Sequence, residues 1–167
     1  MKAKAVFFDR DGTLNVDVNY LYKIEELCWT ENALAALAYL HERGYLVFVV
    51  TNQSGIARGY YSVEEMEKLH AYMRGEAERA GGAIEKFYYC PHHKDGVLAE
   101  YSVECSCRKP KPGMLLQAFA EYDLDKEACF LVGDSDRDVE AARSAGIRGY
   151  KYGQGSLLDF VRKIVEH

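Results

Sequence analysis

Several absences narrow what this chain can be. Only three prolines occur in 167 residues, and there is no internal repeat, low-complexity tract or linker that would mark a second unit. No apolar run approaches the ~18–20 residues that a membrane-spanning helix needs. No basic surplus exists either: 21 lysines and arginines stand against 26 acidic residues, a net charge of −5. Nucleic-acid binding normally requires a broad basic face, so that class of partner is disfavoured. Five cysteines are an odd number for a disulfide framework, and a chain of this length does not need one. The start, Met1-Lys2-Ala3-Lys4, runs straight into a strand with no signal-peptide core. The expectation is a cytoplasmic protein of one domain spanning 1–167, with no membrane partner.

What is present alternates. Ala5–Phe8, Tyr45–Val50 and Cys129–Val132 read as buried strands, with Ile84–Tyr89 and Gly149–Tyr152 as weaker candidates. Between them lie helical patterns. Glu31–Arg43 is expected to be capped by Thr30, and a Ser62-Val-Glu-Glu65 capping box opens a helix to about Arg79. Further helices are expected from Pro112 to about Glu121, from Ser135 or Asp136 to Ala145, and over Leu157–Val165. Such alternation predicts an α/β fold, a Rossmann-like parallel sheet with helices on both faces. Ligands then bind beyond the carboxyl ends of the strands. Cys28 and Cys129 sit in apolar stretches and are expected to be buried thiols.

Four motifs fall at those strand ends: Phe8-Asp9-Arg10-Asp11-Gly12-Thr13, Thr51-Asn52-Gln53-Ser54, Arg108-Lys109-Pro110 and Gly133-Asp134-Ser135-Asp136-Arg137-Asp138. Asp9 and Asp11 are spaced so that one can attack while the other handles a proton. A calcium loop is the rival reading of the aspartate runs. It requires glycine at its sixth position and glutamate at its twelfth. Counting from Asp134 those places hold Val139 and Ala145, and from Asp9 they hold Leu14 and Tyr20, so the rival fails. Cys90-Pro-His92 and Cys105-Ser-Cys107 supply three thiolates and an imidazole, a tetrahedral zinc set with no open position and hence a structural role. The zinc loop, about 88–110, runs into Lys109. Between Thr13 and Tyr45 there is room for a loop and one helix but no large cap domain.

These motifs, in this order and at these strand ends, resemble those of the haloacid dehalogenase (HAD) superfamily phosphatases over nearly the whole chain. The resemblance implies a HAD fold. It implies that Asp9 attacks phosphorus and that Asp11 protonates the leaving alcohol and then activates water. Thr51 would hold the phosphoryl group and Lys109 would neutralise its charge. Mg²⁺ would be bound by Asp9, Asp134 and the main-chain carbonyl of Asp11. Asp138 is read either as orienting the metal shell or as an early helix acid favoured by the dipole.

The Thr-Asn-Gln-Ser string and the cysteine loop are similar to the heptose bisphosphate phosphatases, whose product leads to nucleotide-activated heptose for surface polysaccharide, and to the related histidinol-phosphate phosphatases. The substrate so implied is a small sugar bisphosphate; a monomer is expected, on no motif of its own. Arg108 is the leading candidate for a second phosphate, with Arg58 and Lys111 as further options. Asp17, Tyr20, Asn52, Gln53 and Ser54 are the candidates for other substrate contacts. A polynucleotide 3′-phosphatase and an inactive zinc-stabilised binding module are the competing readings.

Overall fold

The computed structural model describes residues 2–167. Five strands, β1 (Ala5–Phe8), β2 (Leu46–Asn52), β3 (Lys86–Cys90), β4 (Phe130–Gly133) and β5 (Arg148–Lys151), make one sheet in the order β3-β2-β1-β4-β5. Every pairing is parallel. All carboxyl ends therefore collect on one edge. The strand order reverses beside β1, which has β2 on one side and β4 on the other; that is where an open α/β sheet forms its ligand crevice.

The period-two alternation of β1 divides the core. Val6 and Phe8 face one layer, with Val47, Val49 and Val132, against α1 (Ala33–Glu42) and α5 (Leu157–Val165). Ala5 and Phe7 face the other, with Phe48, Val50 and Leu131, against α3 (Gly113–Glu121) and α4 (Asp136–Ala145). All four β1 residues are fully buried, as expected of a strand covered on both faces. The remaining helix, α2 (Val63–Arg79), starts at the expected box: Ser62 Oγ accepts from Glu65 N at 3.1 Å, and Glu65 Oε1 accepts from Ser62 N at 3.0 Å.

Three expectations are corrected. α1 begins at Ala33 after Asn32, which takes a left-handed conformation (φ 58°); Thr30 does not cap it. The Thr30 hydroxyl instead donates to Thr13 O at 2.6 Å, tying the segment before α1 to the loop that follows β1. Thr51 lies inside β2, which runs two residues further than its apolar stretch because its last residues pair with Tyr89 and Cys90. Cys28 is exposed while Cys129 is buried, since Cys28 lies in the irregular segment that precedes α1. From Thr13 to Tyr45 the chain makes a loop, a 3₁₀ turn at Ile24–Glu26 and α1, with no cap domain.

Candidate active site

A cleft of about 280 Å³ opens at the carboxyl edge of the sheet. Asp9, Asp11, Thr51, Lys109, Asp134 and Asp138 all reach it, from β1, β2, the segment before α3, and the β4–α4 junction. Asp17, Tyr20, Asn52, Gln53, Ser54 and Arg108 line it too. The volume is at the small end for ligand pockets, which suits a compact polar metabolite.

Lys109 organises the floor. The residue is 5% exposed, and its ammonium donates to Asp9 Oδ1 at 2.8 Å, Asp138 Oδ1 at 2.5 Å and Val50 O at 2.9 Å, so all three of its protons are used. Burial opposes this charge, but Asp9 and Asp138 more than offset it and hold the ammonium above its usual range. For Asp9 the balance goes the other way. Burial is the largest influence and pushes its carboxyl up to about 8, against the pull of Lys109 and with the repulsion of Asp138. Asp138 takes the place of an early helix acid: its other oxygen accepts from Ser135 N and Oγ, each at 3.1 Å, at the start of α4. Gly133 makes room for it, because a Cβ there would sit 2.3 Å from Asp138 Cγ.

The carboxylate oxygens of Asp9, Asp134 and Asp138 lie within 4.8 Å of one another. Three carboxylates against one ammonium leave an excess of negative charge in a small volume, and an all-oxygen donor set suits Mg²⁺. Asp134 gets there by packing on Gly12, whose φ of +88° and missing Cβ (which would fall 2.2 Å from Asp134 Oδ2) are both required. The Asp11 side chain lies outside this carboxylate group. It accepts instead from Arg10, from Asn15 Nδ2 at 3.0 Å and from Gln53 Nε2 at 3.2 Å.

Cys90, His92, Cys105 and Cys107 also converge, with every ligand atom within 4.8 Å of the others. Cys90 Sγ lies 3.5 Å from Cys105 Sγ, and His92 Nδ1 lies 3.4 Å from Cys107 Sγ. Tetrahedral Zn–S bonds of about 2.3 Å would set neighbouring sulfurs just under ~4 Å apart. The Cys90–Cys105 pair is near that spacing, while Cys107 Sγ, 2.8 Å from Cys90 Sγ, would move outward by about 1 Å, so it is the donor set of three thiols and an imidazole that suits zinc. The hydrogen bond with Cys90 is the main reason that the Cys107 thiol is held down to about 5. Both the cluster and Lys109 hang on β2 through Asn52, whose side chain accepts from Lys109 N at 3.0 Å and donates to Lys109 O at 3.3 Å.

Some expected substrate contacts are thus committed elsewhere. Asn52 clasps the Lys109 backbone. Gln53 Nε2 donates to Thr51 Oγ1 at 2.8 Å as well as to Asp11, and its Oε1 accepts from Tyr61 Oη. Arg58 does not line the cleft; it turns toward the zinc loop, with Nη2 3.4 Å from His93 Nε2. The reading of the sequence missed Tyr61 and Arg137, which do line it, as does Asn19 of the loop after β1. Arg137 carried a signal. A cation in the first turn of a helix opposes the dipole, and an unfavourable placement of that kind suggests an anion to be met. Arg108 Nη1 is buried and has no hydrogen-bond partner among the described residues, and burial first, then the nearby Arg137 charge, disfavour its own charge.

This fold and these motifs define a HAD-like hydrolase, and a HAD-hydrolase-like family model matches residues 106–158. The D-glycero-beta-D-manno-heptose-1,7-bisphosphate 7-phosphatase of Rhodopseudomonas palustris is 41% identical over 162 residues, 96% of this chain and 89% of that protein. The D-glycero-alpha-D-manno-heptose-1,7-bisphosphate 7-phosphatase of Campylobacter jejuni is 44% identical over 147 residues, 88% of this chain and 80% of that protein. A D,D-heptose 1,7-bisphosphate phosphatase from B. bronchiseptica, solved with magnesium and phosphate, superposes with a TM-score of 0.85 at 28% identity, covering 98% of each chain. The chain belongs to the heptose-1,7-bisphosphate 7-phosphatase family of phosphoric monoester hydrolases.

Proposed function

We propose that the chain removes the 7-phosphate of D-glycero-D-manno-heptose 1,7-bisphosphate by way of an aspartyl-phosphate at Asp9. The observation that carries this is the placement of Asp9 against the triply bonded Lys109 ammonium, on the floor of a cleft that also holds Thr51 and Asp11. An Asp9 oxygen attacks phosphorus and the P–O ester bond breaks. The departing alkoxide takes a proton from Asp11 and leaves as the sugar alcohol. Water then attacks the phosphorus of the aspartyl-phosphate, gives a proton back to Asp11, and releases inorganic phosphate and free Asp9. Thr51 holds the phosphoryl group, while Lys109 offsets its charge and fixes Asp9.

Asp9, Asp134 and the main-chain carbonyl of Asp11 would hold Mg²⁺, with Asp138 behind them. The ion would supply charge neutralisation for the transferring phosphoryl group. Cys90, His92, Cys105 and Cys107 would hold a structural Zn²⁺, and a cluster of reduced thiols fits a cytoplasmic enzyme. Arg108 and Arg137 supply the second anion site. The same pair weighs against histidinol phosphate, because that substrate brings an ammonium where the cleft offers two guanidinium groups.

Relative kcat/KM on the two anomers of heptose bisphosphate and on histidinol phosphate tests the reading. A preference for a bisphosphate below ~10-fold, about 1.4 kcal/mol of transition-state discrimination, would remove the substrate assignment. Asp9→Asn should abolish turnover without unfolding the chain, and near-normal turnover in that variant would remove the nucleophile.

A further inference from the structure

Arg10 is the largest of the fully buried side chains and has no place in the chemistry above. Its cation sits in the interior, where it survives only if each N–H finds an acceptor. Nε and Nη2 form a fork on the two oxygens of Asp11, both at 3.1 Å. Nη2 also donates to Leu21 O at 2.8 Å, and Nη1 lies 3.1 Å from His70 Nε2.

His70 belongs to the buried face of α2, is 6% exposed, and stacks on Phe87 with ring centroids 4.1 Å apart and planes 11° from parallel. To accept from a guanidinium its Nε2 must carry a lone pair, so the ring is neutral with its proton on Nδ1. Burial, together with the Arg10 and Arg74 charges, holds His70 well below its usual range and keeps it in that form. A chain of contacts therefore runs from α2 through His70 and Arg10 to Asp11. With Asn15 and Gln53 it places four donor groups around the Asp11 oxygens.

We propose that Arg10 is a positioning residue for Asp11, and that neutral His70 is the acceptor that fixes Arg10. This rests on the reading of Asp11 as the group that protonates the leaving alcohol. Four donors around two oxygens match the carboxylate left once that proton has gone, and the same carboxylate then takes the proton of water. A planar fork fixes a carboxylate in both position and plane, which a lysine cannot do. Proton delivery from a fixed carboxyl matters in proportion to how badly the leaving oxygen needs it. An alkoxide needs the proton, whereas p-nitrophenolate leaves without one.

The test compares kcat/KM, which covers the steps up to loss of the leaving group, on heptose 1,7-bisphosphate (or the alkyl phosphate turned over fastest) and on p-nitrophenyl phosphate. Asp11→Asn, Arg10→Met, Arg10→Lys, His70→Phe and His70→Gln are measured in Mg²⁺-loaded, zinc-replete protein. Asp11→Asn should lose far more on the alkyl than on the aryl substrate. Arg10→Met and Arg10→Lys should repeat that pattern, on the order of 10²-fold on the alkyl phosphate and under ~10-fold on the aryl one. His70→Phe keeps the stack on Phe87 but removes the acceptor, and should show the pattern more weakly. His70→Gln, which restores an acceptor, should recover most of it.

Equal losses on both substrates, or none, in Arg10→Lys and His70→Phe while Asp11→Asn remains selective would overturn the Arg10 assignment alone. If Asp11→Asn is itself unselective, the acid role of Asp11 and the positioning role of Arg10 fall together. Should Arg10→Met fail to fold, Arg10→Lys and the two His70 variants carry the comparison.

Discussion

Asp138→Asn isolates the charge under Lys109 from the shape around it. The amide is isosteric, so it fills the space that Gly133 leaves open and forms no cavity. Its hydrogen-bonding cannot match that of the carboxylate. One Asp138 oxygen accepts from the Lys109 ammonium, and the other accepts from Ser135 N and Oγ. If the amide oxygen stays on Lys109, its NH₂ group faces the Ser135 N–H, a donor against a donor, and the start of α4 loses its cap. A cap is worth about 0.5–2 kcal/mol. Replacing the ion pair by a neutral acceptor weakens a hydrogen bond to a buried charge, for which about 1.5–3 kcal/mol is typical. Relief of the repulsion between Asp9 and Asp138 works in the opposite sense, but Lys109 already lies between them. The expected net loss is therefore about 2–4 kcal/mol by urea unfolding in saturating Mg²⁺. At roughly 2–4 °C per kcal/mol for a chain of this size, Tm should fall by about 4–16 °C. An ammonium left with Asp9 as its one charged partner should tilt toward it and away from the phosphoryl position, lowering kcat/KM at least ~10-fold, a 1.4 kcal/mol effect. A stability loss under ~0.5 kcal/mol with unchanged kcat/KM would refute the view that Asp138 anchors the lysine.

His70 gives a prediction for pH. It is neutral in the folded chain, whereas in the unfolded chain it takes up a proton near pH ~6.5. The unfolded state therefore binds more protons below that value, so stability is lost as the pH falls, by up to ~1.4 kcal/mol per unit. Between pH 7.5 and 5.5, His70→Phe should remove about 1.4 kcal/mol in all from the stability that the wild-type chain loses; superimposable curves would show that His70 takes up its proton as readily in the folded chain as in the unfolded one. Zinc removal by a strong chelator, with Mg²⁺ restored, should open the loop before Lys109 to proteolysis and cut activity, since Asn52 alone would then hold the lysine's backbone. Full activity in chelated protein shown to lack zinc would sever that link. Arg137→Ala should raise KM for the bisphosphate while leaving kcat on p-nitrophenyl phosphate within ~2-fold, because that substrate has no second phosphate.

Much of this was legible in the sequence, for a physical reason. Continuous apolar runs such as Ala5–Phe8 can be satisfied only by a strand covered on both faces, and each is followed at once by polar motif residues. The sheet order then brings Asp9, Thr51 and Asp134 to one edge. Ser62 and Glu65 gave the start of α2 because a capping box is a local device, complete within four residues. Thr30 misled for the converse reason. A threonine before a helical pattern is a good local cap, but here a tertiary acceptor, Thr13 O, takes its hydroxyl. Cys28 likewise sits among apolar neighbours in sequence that do not enclose it in space.

The Thr51-Asn52-Gln53-Ser54 string shows where such reading stops. Composition marks it as polar residues at the end of a buried strand, which suggests side chains offered to a ligand. Two of the four instead spend their amides inside the protein: Asn52 on the backbone of Lys109, and Gln53 on Thr51, Asp11 and Tyr61. The one partner of Asn52, Lys109, and two of Gln53's three, Thr51 and Asp11, are residues proposed to do the chemistry. A primary amide suits this work because it has donors and an acceptor in one plane, and can tie two chain segments together without adding charge to a site already rich in carboxylates. Arg10 follows the same logic with the opposite property: its fixed positive fork is spent on Asp11, not offered to the substrate. Around this cleft, burial separates the two kinds of polar residue. Gln53 and Arg10, at 2% and 0% exposure, hold the machinery, whereas Arg137 and Asp17 stand exposed at its mouth. Substitutions at the first pair should therefore depress kcat on every phosphate ester that needs its proton. Substitutions at the second pair should alter only which ester is preferred.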